Sequence, residues 1–538
     1  MQTSKGEKYS TQVEPLETLQ GYTVPALIHA RAQNFPYSLA LSASAGRDRR
    51  DRLTYRQLAI RMDAMARGLA DLGLAAGERI AVFLTNDNGR ECILTALGAM
   101  ARGAVIVPLN TRASNEELSH ALDLVDPQFV VCAENAARRM AKSAPRARLL
   151  IIDRAEDTPD YEAWPDPERQ PSGRQPERLD DPDALACLLF TSGTTARAKA
   201  VMTSHRTMIA TGLCCSLALG LSSDDLYQGA FPFFTSSALN LACMSCWVAG
   251  AGFVLEGAVD SAERLRLIQR EGTTFYHGVP SVVNFMLHEE ERRGYELGGL
   301  RRIAVGGAPM PADLVRRIAE RWPWADQIQV YGLTESGPTG SVLKSDEIVH
   351  KAGSVGRAMP FCDLDVVDND GASLPAGETG EIAITGPGVA MGYFRNVPAT
   401  EAAFHGRRVL TGDVGWLDED GFLFFADRKK DVINRGGLKI ASVAVESALY
   451  AHPAVREAAV VGVPHSDLGE DVAACVVLHT NSEVDRETLV RHCAAYLADY
   501  SVPRKWLFLD ELPKNPMGKV LKPELRKMFI RDLPSALR

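Results

Sequence analysis

Hydrophobic positions follow two rhythms along this chain. Short runs dense in valine and isoleucine, at residues 79–84, 105–108, 129–132, 149–152, 253–255 and 303–305, alternate with segments such as 54–72 and 116–124, where apolar residues recur at helical spacing. Strands buried on both faces read as continuous apolar runs, and the helices that connect them read as one-sided, so this alternation predicts α/β layering around mostly parallel sheets. Residues 153–183 are charged and proline-rich and read as a surface connection. From Phe361 the rhythm shortens to strand–turn units, through Gly377-Glu378-Thr379-Gly380-Glu381 and Gly392-Tyr393-Phe394, which predicts a small β-rich subdomain. After Ala426 come an Ala/Val helix at 440–450, strands at 455–463 and 472–478, and a helix at 486–497, together a small α+β domain. The main boundary is placed at Asp427, giving domains 1–426 and 427–538.

A chain of 538 residues is too long for one ordinary core, in keeping with that division. Its net charge of −9 gives no basic bias toward nucleic acid or an anionic membrane. The ten cysteines are scattered through a large chain, which points to reduced cytoplasmic thiols rather than a disulfide framework. Residues 1–16 are polar, so no signal peptide is expected. The longest apolar run, 241–255, is shorter than the roughly 20 residues a bilayer span needs, and Gly250 and Gly252 divide it. A buried helix leading into a strand is expected there, and no membrane span. Cys243 and Cys246 in that run make a CxxC with no second pair, so no metal or redox site is expected.

The richest chemistry lies in Thr191-Ser192-Gly193-Thr194-Thr195-Ala196-Arg197-Ala198-Lys199-Ala200, directly after an apolar strand-like run. Backbone N–H groups, hydroxyls and a lysine are the groups that grip a polyphosphate. This stretch resembles the phosphate loop of the AMP-forming adenylating superfamily, usually T-S-G-T-T-G-x-P-K-G. Further motifs follow in that family's order: Leu53-Thr54-Tyr55-Arg56-Gln57-Leu58, Gly306-Gly307-Ala308-Pro309-Met310, Tyr331-Gly332-Leu333-Thr334-Glu335, Thr411-Gly412-Asp413, Asp427-Arg428-Lys429-Lys430-Asp431 with Gly436-Gly437 beyond it, and Pro516-Met517-Gly518-Lys519-Val520.

The resemblance implies an acyl-CoA ligase that joins a carboxylic acid to coenzyme A through an acyl-adenylate, using ATP and Mg²⁺. Because two anions must be brought together, such catalysis is mainly positioning and charge neutralisation. By the same resemblance Thr191, Ser192, Gly193, Thr194, Thr195 and Lys199 hold phosphates, Glu335 binds the metal and Thr334 the α-phosphate. Tyr331 and Gly332, with Gly307, Ala308 and Pro309, hold adenine. Asp413 accepts the ribose hydroxyls with help from Arg428. Lys519 bridges carboxylate and α-phosphate. Asp427 is the hinge of a mobile C-terminal domain, Gly436 and Gly437 line the pantetheine path, and the active site lies in the cleft between the domains. Each residue also has a plainer reading: a surface carboxylate at Glu335, a turn cap at Asp413, a solvated lysine at Lys519, Lys429 or Lys430, a simple turn at Gly436-Gly437.

The chain departs from the pattern at Ala196, Ala198 and Ala200, which replace glycine, proline and glycine. Alanine forced to positive φ costs roughly 1–2 kcal/mol. An acyl-adenylate carries only the α-phosphate, so the expectation is weak or lost adenylation with retained thioesterification. A separate adenylating enzyme would then supply the adenylate, as a further resemblance to ligases of bacterial diterpenoid (platensimycin-type) pathways implies. An ordinary two-step ligase and a non-catalytic acyl-nucleotide binder are the alternatives. The helix after the glycine pair reads Ser442-Val443-Ala444-Val445-Glu446 where the family has P-x-E-V-E. No aspartate follows Phe231-Pro232-Phe233-Phe234, which speaks against an α-amino acid. Phe233, Phe234, Leu239 and His277 suggest a bulky, uncharged acyl group, with His277 equally readable as a structural histidine, as is His205. A homodimer stays open.

Overall fold

The computed structural model describes residues 19–531 apart from 20, 47–48, 155–160, 169–179, 192–197, 308–309, 430, 480–481, 483 and 515–519. The chain divides into two compact units, one of residues 1–364 and 383–411, the other of 365–382 and 412–538. The chain passes between them at 364/365, 382/383 and 411/412. All these crossings lie in the stretch that carries the short strands Asp363–Val367, Gly380–Thr385, Phe404–His405, Arg408–Leu417 and Leu423–Arg428, where a β-rich region was expected.

The larger unit holds two layered α/β sheets. One has nine strands, and six of these, running from Asp326–Gly332 through Arg302–Gly306, Phe275–Gly278, Leu226–Gly229 and Gly252–Leu255 to Leu39–Ser44, are parallel neighbours. Antiparallel strands close both edges. The second sheet has seven strands, parallel except where Lys199–Ser204 returns along Leu185–Thr191. The parallel strands are the valine- and isoleucine-rich runs of the sequence, and their interiors are fully buried. Helix Tyr55–Asp71 starts where Thr54 and Gln57 form a reciprocal cap.

The apolar run from Leu241 resolves into a π-helix at Ser237–Cys243, a helix at Met244–Ala249 and the strand Gly252–Leu255. Among the described residues no helix is long and apolar enough to cross a membrane. All ten cysteines are buried and free.

In the smaller unit, Val455–His465 and Gly469–Leu478 form a long hairpin. Ile433–Arg435 with Leu438–Ile440 joins one side of it, and Lys505–Phe508 runs parallel to Gly469–Leu478. Helices Ser442–Tyr450, Arg486–Tyr496 and Lys522–Arg531 complete an α+β domain.

Candidate active site

In the larger unit the site is built at the end of strand Asp326–Gly332. Tyr331 and Gly332 close the strand, and a single 3₁₀ turn at Thr334–Ser336 follows. Ser336 fixes that turn, donating to the carbonyl of Thr339, while Thr339 Oγ1 donates back to the Ser336 carbonyl at 2.7 Å. Gly337 has φ +68°, and a Cβ there would lie 2.2 Å from the Gly388 carbonyl oxygen, so only glycine fits. The turn presents Thr334 and Glu335. Thr334 Oγ1 lies 2.9 Å from Ser236 Oγ. Glu335 Oε1 accepts a hydrogen bond from the Tyr393 hydroxyl at 2.9 Å.

Tyr393 ties this turn to the phosphate loop. The strand Lys199–Ser204 begins opposite Thr191. Residues 391–394 run along that strand, with Phe394 N–H donating to the Ala200 carbonyl and Met202 N–H to the Gly392 carbonyl. Ala390 N–H donates to the Glu335 carbonyl. The Lys199 ammonium therefore stands 4.5 Å from the centre of the Tyr393 ring. Burial pushes the Tyr393 phenol upward, and the charge of Glu335 pushes it further, so it remains a donor throughout the neutral range. Thr191 and Lys199 are thus placed. Ser192, Gly193, Thr194, Thr195, Ala308, Pro309 and Lys519 lie outside the described residues.

Of the two alanines that replace glycine, Ala200 is the one described, and it carries no strain. Ala200 sits inside the strand, opposite Phe190 and 1% exposed, and neither it nor Ala198 has positive φ. Alanine is at home in extended backbone, so no glycine is required there. His120 Nε2 lies 3.3 Å from the Ala198 carbonyl oxygen. Ala196 lies outside the described residues.

Gly307, by contrast, has φ +80° just after strand Arg302–Gly306. His277, on the neighbouring strand, is 1% exposed. Its Nδ1 lies 2.5 Å from the Tyr227 hydroxyl, and its ring meets Phe231 edge-on at 4.8 Å. Burial pushes its pKa down to about 3, so the imidazole is neutral. His205 accepts a hydrogen bond from Val24 N–H, with its pKa pushed down to about 4 by burial, and is a satisfied core histidine. Phe233 and Leu239 pack in the main hydrophobic core, and Phe234 is 9% exposed.

In the smaller unit, Asp413 and Arg428 face each other across paired strands, with Arg428 Nε 3.1 Å from Asp413 Oδ1. Glu381 braces this corner: it accepts from Gly412 N–H at 3.0 Å and from the Lys429 ammonium at 2.8 Å. Lys429 is exposed, as expected of a solvated lysine, and also ion-paired. Asp427 is 1% exposed and lies within strand Leu423–Arg428. Gly436 and Gly437 form the two-residue turn between Ile433–Arg435 and Leu438–Ile440, with φ of +59° and +90°. A tight hairpin of this kind demands positive φ at both positions, which explains both glycines locally. Among the described residues no cluster of three or more His, Cys, Asp or Glu side chains is arranged to hold a metal.

Sequence reasoning missed Tyr393 and Glu381. Each acts on a motif residue through the fold, Tyr393 from 58 positions away and Glu381 from 31, and neither belongs to a motif.

A family model described as AMP-binding enzyme matches residues 28–394, and one described as AMP-binding enzyme C-terminal domain matches 444–519. A feruloyl-CoA synthase from Amycolatopsis sp is 34% identical over 481 residues, covering 89% of this chain and 94% of that protein. A 2-succinylbenzoate–CoA ligase from Bacillus cereus is 33% identical over 486 residues, with coverages of 89% and 94%. The fold also matches o-succinylbenzoate CoA synthetase from Bacillus subtilis, solved with its acyl-adenylate intermediate, at a TM-score of 0.82 and 29% identity, over 93% of this chain and 97% of that one. ATP-bound MatB from Rhodopseudomonas palustris gives a TM-score of 0.83 at 28% identity, over 94% and 99%. With both family models in chain order and CoA ligases matching along nearly its whole length, the chain belongs to the AMP-binding enzymes and, among them, to the acyl-CoA ligases.

Proposed function

We propose that this ligase makes the CoA thioester of a bulky, uncharged carboxylic acid, and that it forms the acyl-adenylate from ATP slowly while converting adenylate to thioester efficiently. In the first half-reaction a carboxylate oxygen attacks the α-phosphorus and the bond to pyrophosphate breaks. In the second the CoA sulfur attacks the acyl carbon and AMP leaves with the bonding pair. Thr334 would bind the α-phosphate, Asp413 and Arg428 the ribose, and Tyr331 with Gly307 the adenine. Lys519 would neutralise charge between carboxylate and phosphate. Glu335, oriented by Tyr393, is the carboxylate suited to Mg²⁺, whose part is to neutralise phosphate charge. Gly436 and Gly437 would line the path of CoA.

The observation that carries the split is where the departures fall. They sit in the loop that serves the outer phosphates, while Thr334, Glu335, Asp413 and Arg428 are held by named partners. Ala196 and the proline lost at Ala198 carry this reading, since Ala200 is unstrained. That same lack of strain favours the second reading, an ordinary two-step ligase. An uncharged acid is supported by residues 231–240, which carry no charged side chain, and by the neutral His277.

A separate adenylating enzyme and a cytoplasmic location accompany this reading. So does a domain boundary at Asp427, with a hinge at that strand end. An Asp427→Pro variant that ran both half-reactions at native rates would remove the hinge. The deciding experiment compares free acid plus ATP with preformed adenylate, both with CoA, following pyrophosphate and thioester. Fast pyrophosphate release from the unaltered chain would establish the two-step reading. Failure to turn over any adenylate would defeat both.

A further inference from the structure

Ser442 stands where the family's pattern has proline, and proline has no N–H to donate. Here that N–H is used. Ser442 opens the helix Ser442–Tyr450, whose own N-cap, Ala441, supplies no side-chain cap. Asp427 does so from the neighbouring strand: its Oδ2 accepts Ser442 N–H at 2.5 Å and its Oδ1 accepts Arg428 N–H at 2.7 Å. A carboxylate at a helix N-terminus is favoured by the unpaired N–H groups and by the helix dipole. The Ser442 hydroxyl in turn accepts from the Lys522 ammonium at 2.5 Å. Lys522 also reaches Glu446 Oε1 at 2.9 Å, and Glu446 accepts Val460 N–H at 2.8 Å. Asp427 is 1% exposed and Ser442 fully buried, so water does not readily replace these bonds.

A second tie runs from the same helix. Arg526, one turn beyond Lys522 and on the same face, pairs with Asp431 at 2.9 Å. Asp431 N–H donates to the Arg428 carbonyl at 2.7 Å. Arg428 is thereby held on both sides. The residue before it is fixed through Ser442 and Lys522, and its own carbonyl is fixed through Asp431 and Arg526.

We propose that Ser442, Lys522 and Arg526 are positioning residues for nucleotide binding: from the helix Lys522–Arg531 they set the backbone of Arg428 and so keep its guanidinium on Asp413. The inference rests on the reading of Asp413 and Arg428 as the ribose pair. A pair that must meet two adjacent hydroxyls tolerates little displacement, because small misplacements of a binding group are expensive.

The test measures AMP binding by calorimetry on the full chain, with KM for CoA from thioester formation and the melting temperature as companions. Lys522→Met and Ser442→Ala are each expected to weaken AMP binding about five- to tenfold, less than the ten- to hundredfold or so of a directly lost charge-assisted contact, because the effect reaches the nucleotide only through the backbone of Arg428. Arg526→Met should act in the same direction, and Lys522→Arg should restore at least half of the affinity. KM for CoA should stay within about twofold, which a general loosening of the domain would not allow. Asp413→Asn is the control for the underlying reading. If it leaves AMP affinity unchanged, the ribose assignment falls and the proposal with it. If Asp413→Asn weakens AMP while Lys522→Met and Ser442→Ala do not, the ribose pair stands and the positioning role is wrong. Loss of CoA affinity in proportion to AMP affinity, or failure of Lys522→Arg to rescue, would also overturn it. Should Lys522→Met not fold, Ser442→Ala, which keeps the helix and its N–H, carries the same decision.

Discussion

Removing one hydroxyl tests whether Tyr393 orients Glu335 or merely packs against it. Tyr393→Phe keeps the ring, and with it the contacts to the Lys199 ammonium at 4.5 Å and to Phe404 at 5.2 Å. It deletes only the 2.9 Å hydrogen bond to Glu335. Tyr393 is 7% exposed, so water has poor access to take the place of the lost donor. A hydrogen bond to a charged group contributes about 1.5–3 kcal/mol, which corresponds to a loss of about ten- to a hundredfold in the rate of a step that depends on the carboxylate. Tyr393→Leu also removes the cation–ring contact, worth about 0.5–1 kcal/mol, and should lose a further two- to fivefold or so. The assay is ATP formation from preformed adenylate and pyrophosphate with Mg²⁺, which remains measurable where the forward direction is slow. Thioester formation from the same adenylate and CoA serves as the internal reference. The expected result is a ten- to hundredfold or so loss in the first and a change within about twofold in the second for Tyr393→Phe. An unchanged first rate would refute the orienting role. Equal losses in both reactions would show that Tyr393 supports the fold rather than the carboxylate.

Ala196→Gly alone should raise pyrophosphate release with ATP and the acid. Ala200→Gly should add nothing and lower stability by about 0.5–1 kcal/mol, because it loosens a strand interior; a rise in release from Ala200→Gly alone would contradict the strand geometry. Gly437→Ala, at φ +90°, should cost roughly 1–2 kcal/mol of stability in denaturant unfolding and raise KM for CoA; native values for both would show that neither the turn nor the CoA path needs this glycine. His277, held at about 3 against an ordinary 6.5, binds its proton more weakly folded than unfolded. Its contribution to stability is therefore present above pH 6.5 and lost as pH falls toward 3, so unfolding free energy should drop with acid across that window and drop less steeply in His277→Gln. Equal slopes would place the proton uptake elsewhere.

The layered architecture was legible because burial on both faces leaves a simple trace. The runs at 105–108 and 129–132 became parallel strands with every residue buried, and the small α+β domain followed its predicted element order. The motif turn at Thr334–Ser336 was legible as chemistry, since a threonine and a carboxylate beside a glycine suit a nucleotide. Its partners were not. Tyr393 meets Glu335 across 58 positions, and periodicity carries no information about such a pairing. Backbone torsion was equally hidden: Ala200 replaces a glycine in the family's pattern, yet it lies in extended backbone where glycine has no advantage. Of the π-helix at Ser237–Cys243 only 241–243 fell in the run expected to be helical, because its wider winding leaves no distinct apolar period over seven residues. Ser442 registered as a departure from the pattern, but its meaning depends on Asp427 and Lys522, which only the fold brings to it.

The ten buried free cysteines have an experimental consequence. Thiol reagents attack thiolates, and burial holds the thiols of Cys187, Cys243 and Cys246 protonated as well as shielded. Cys362, whose thiol pKa is pulled down by its hydrogen bond with Cys214, is protected by burial alone, so the native chain should be nearly silent to maleimides. One cysteine introduced at Tyr37 and one at Tyr496, both exposed and one in each compact unit, would take a fluorophore pair without removing any native residue of the core. The same silent thiols then become clocks of local opening: the order in which they label under mild denaturant ranks the sheets that bury them, with Cys475 reporting the small domain and Cys132 the seven-stranded sheet.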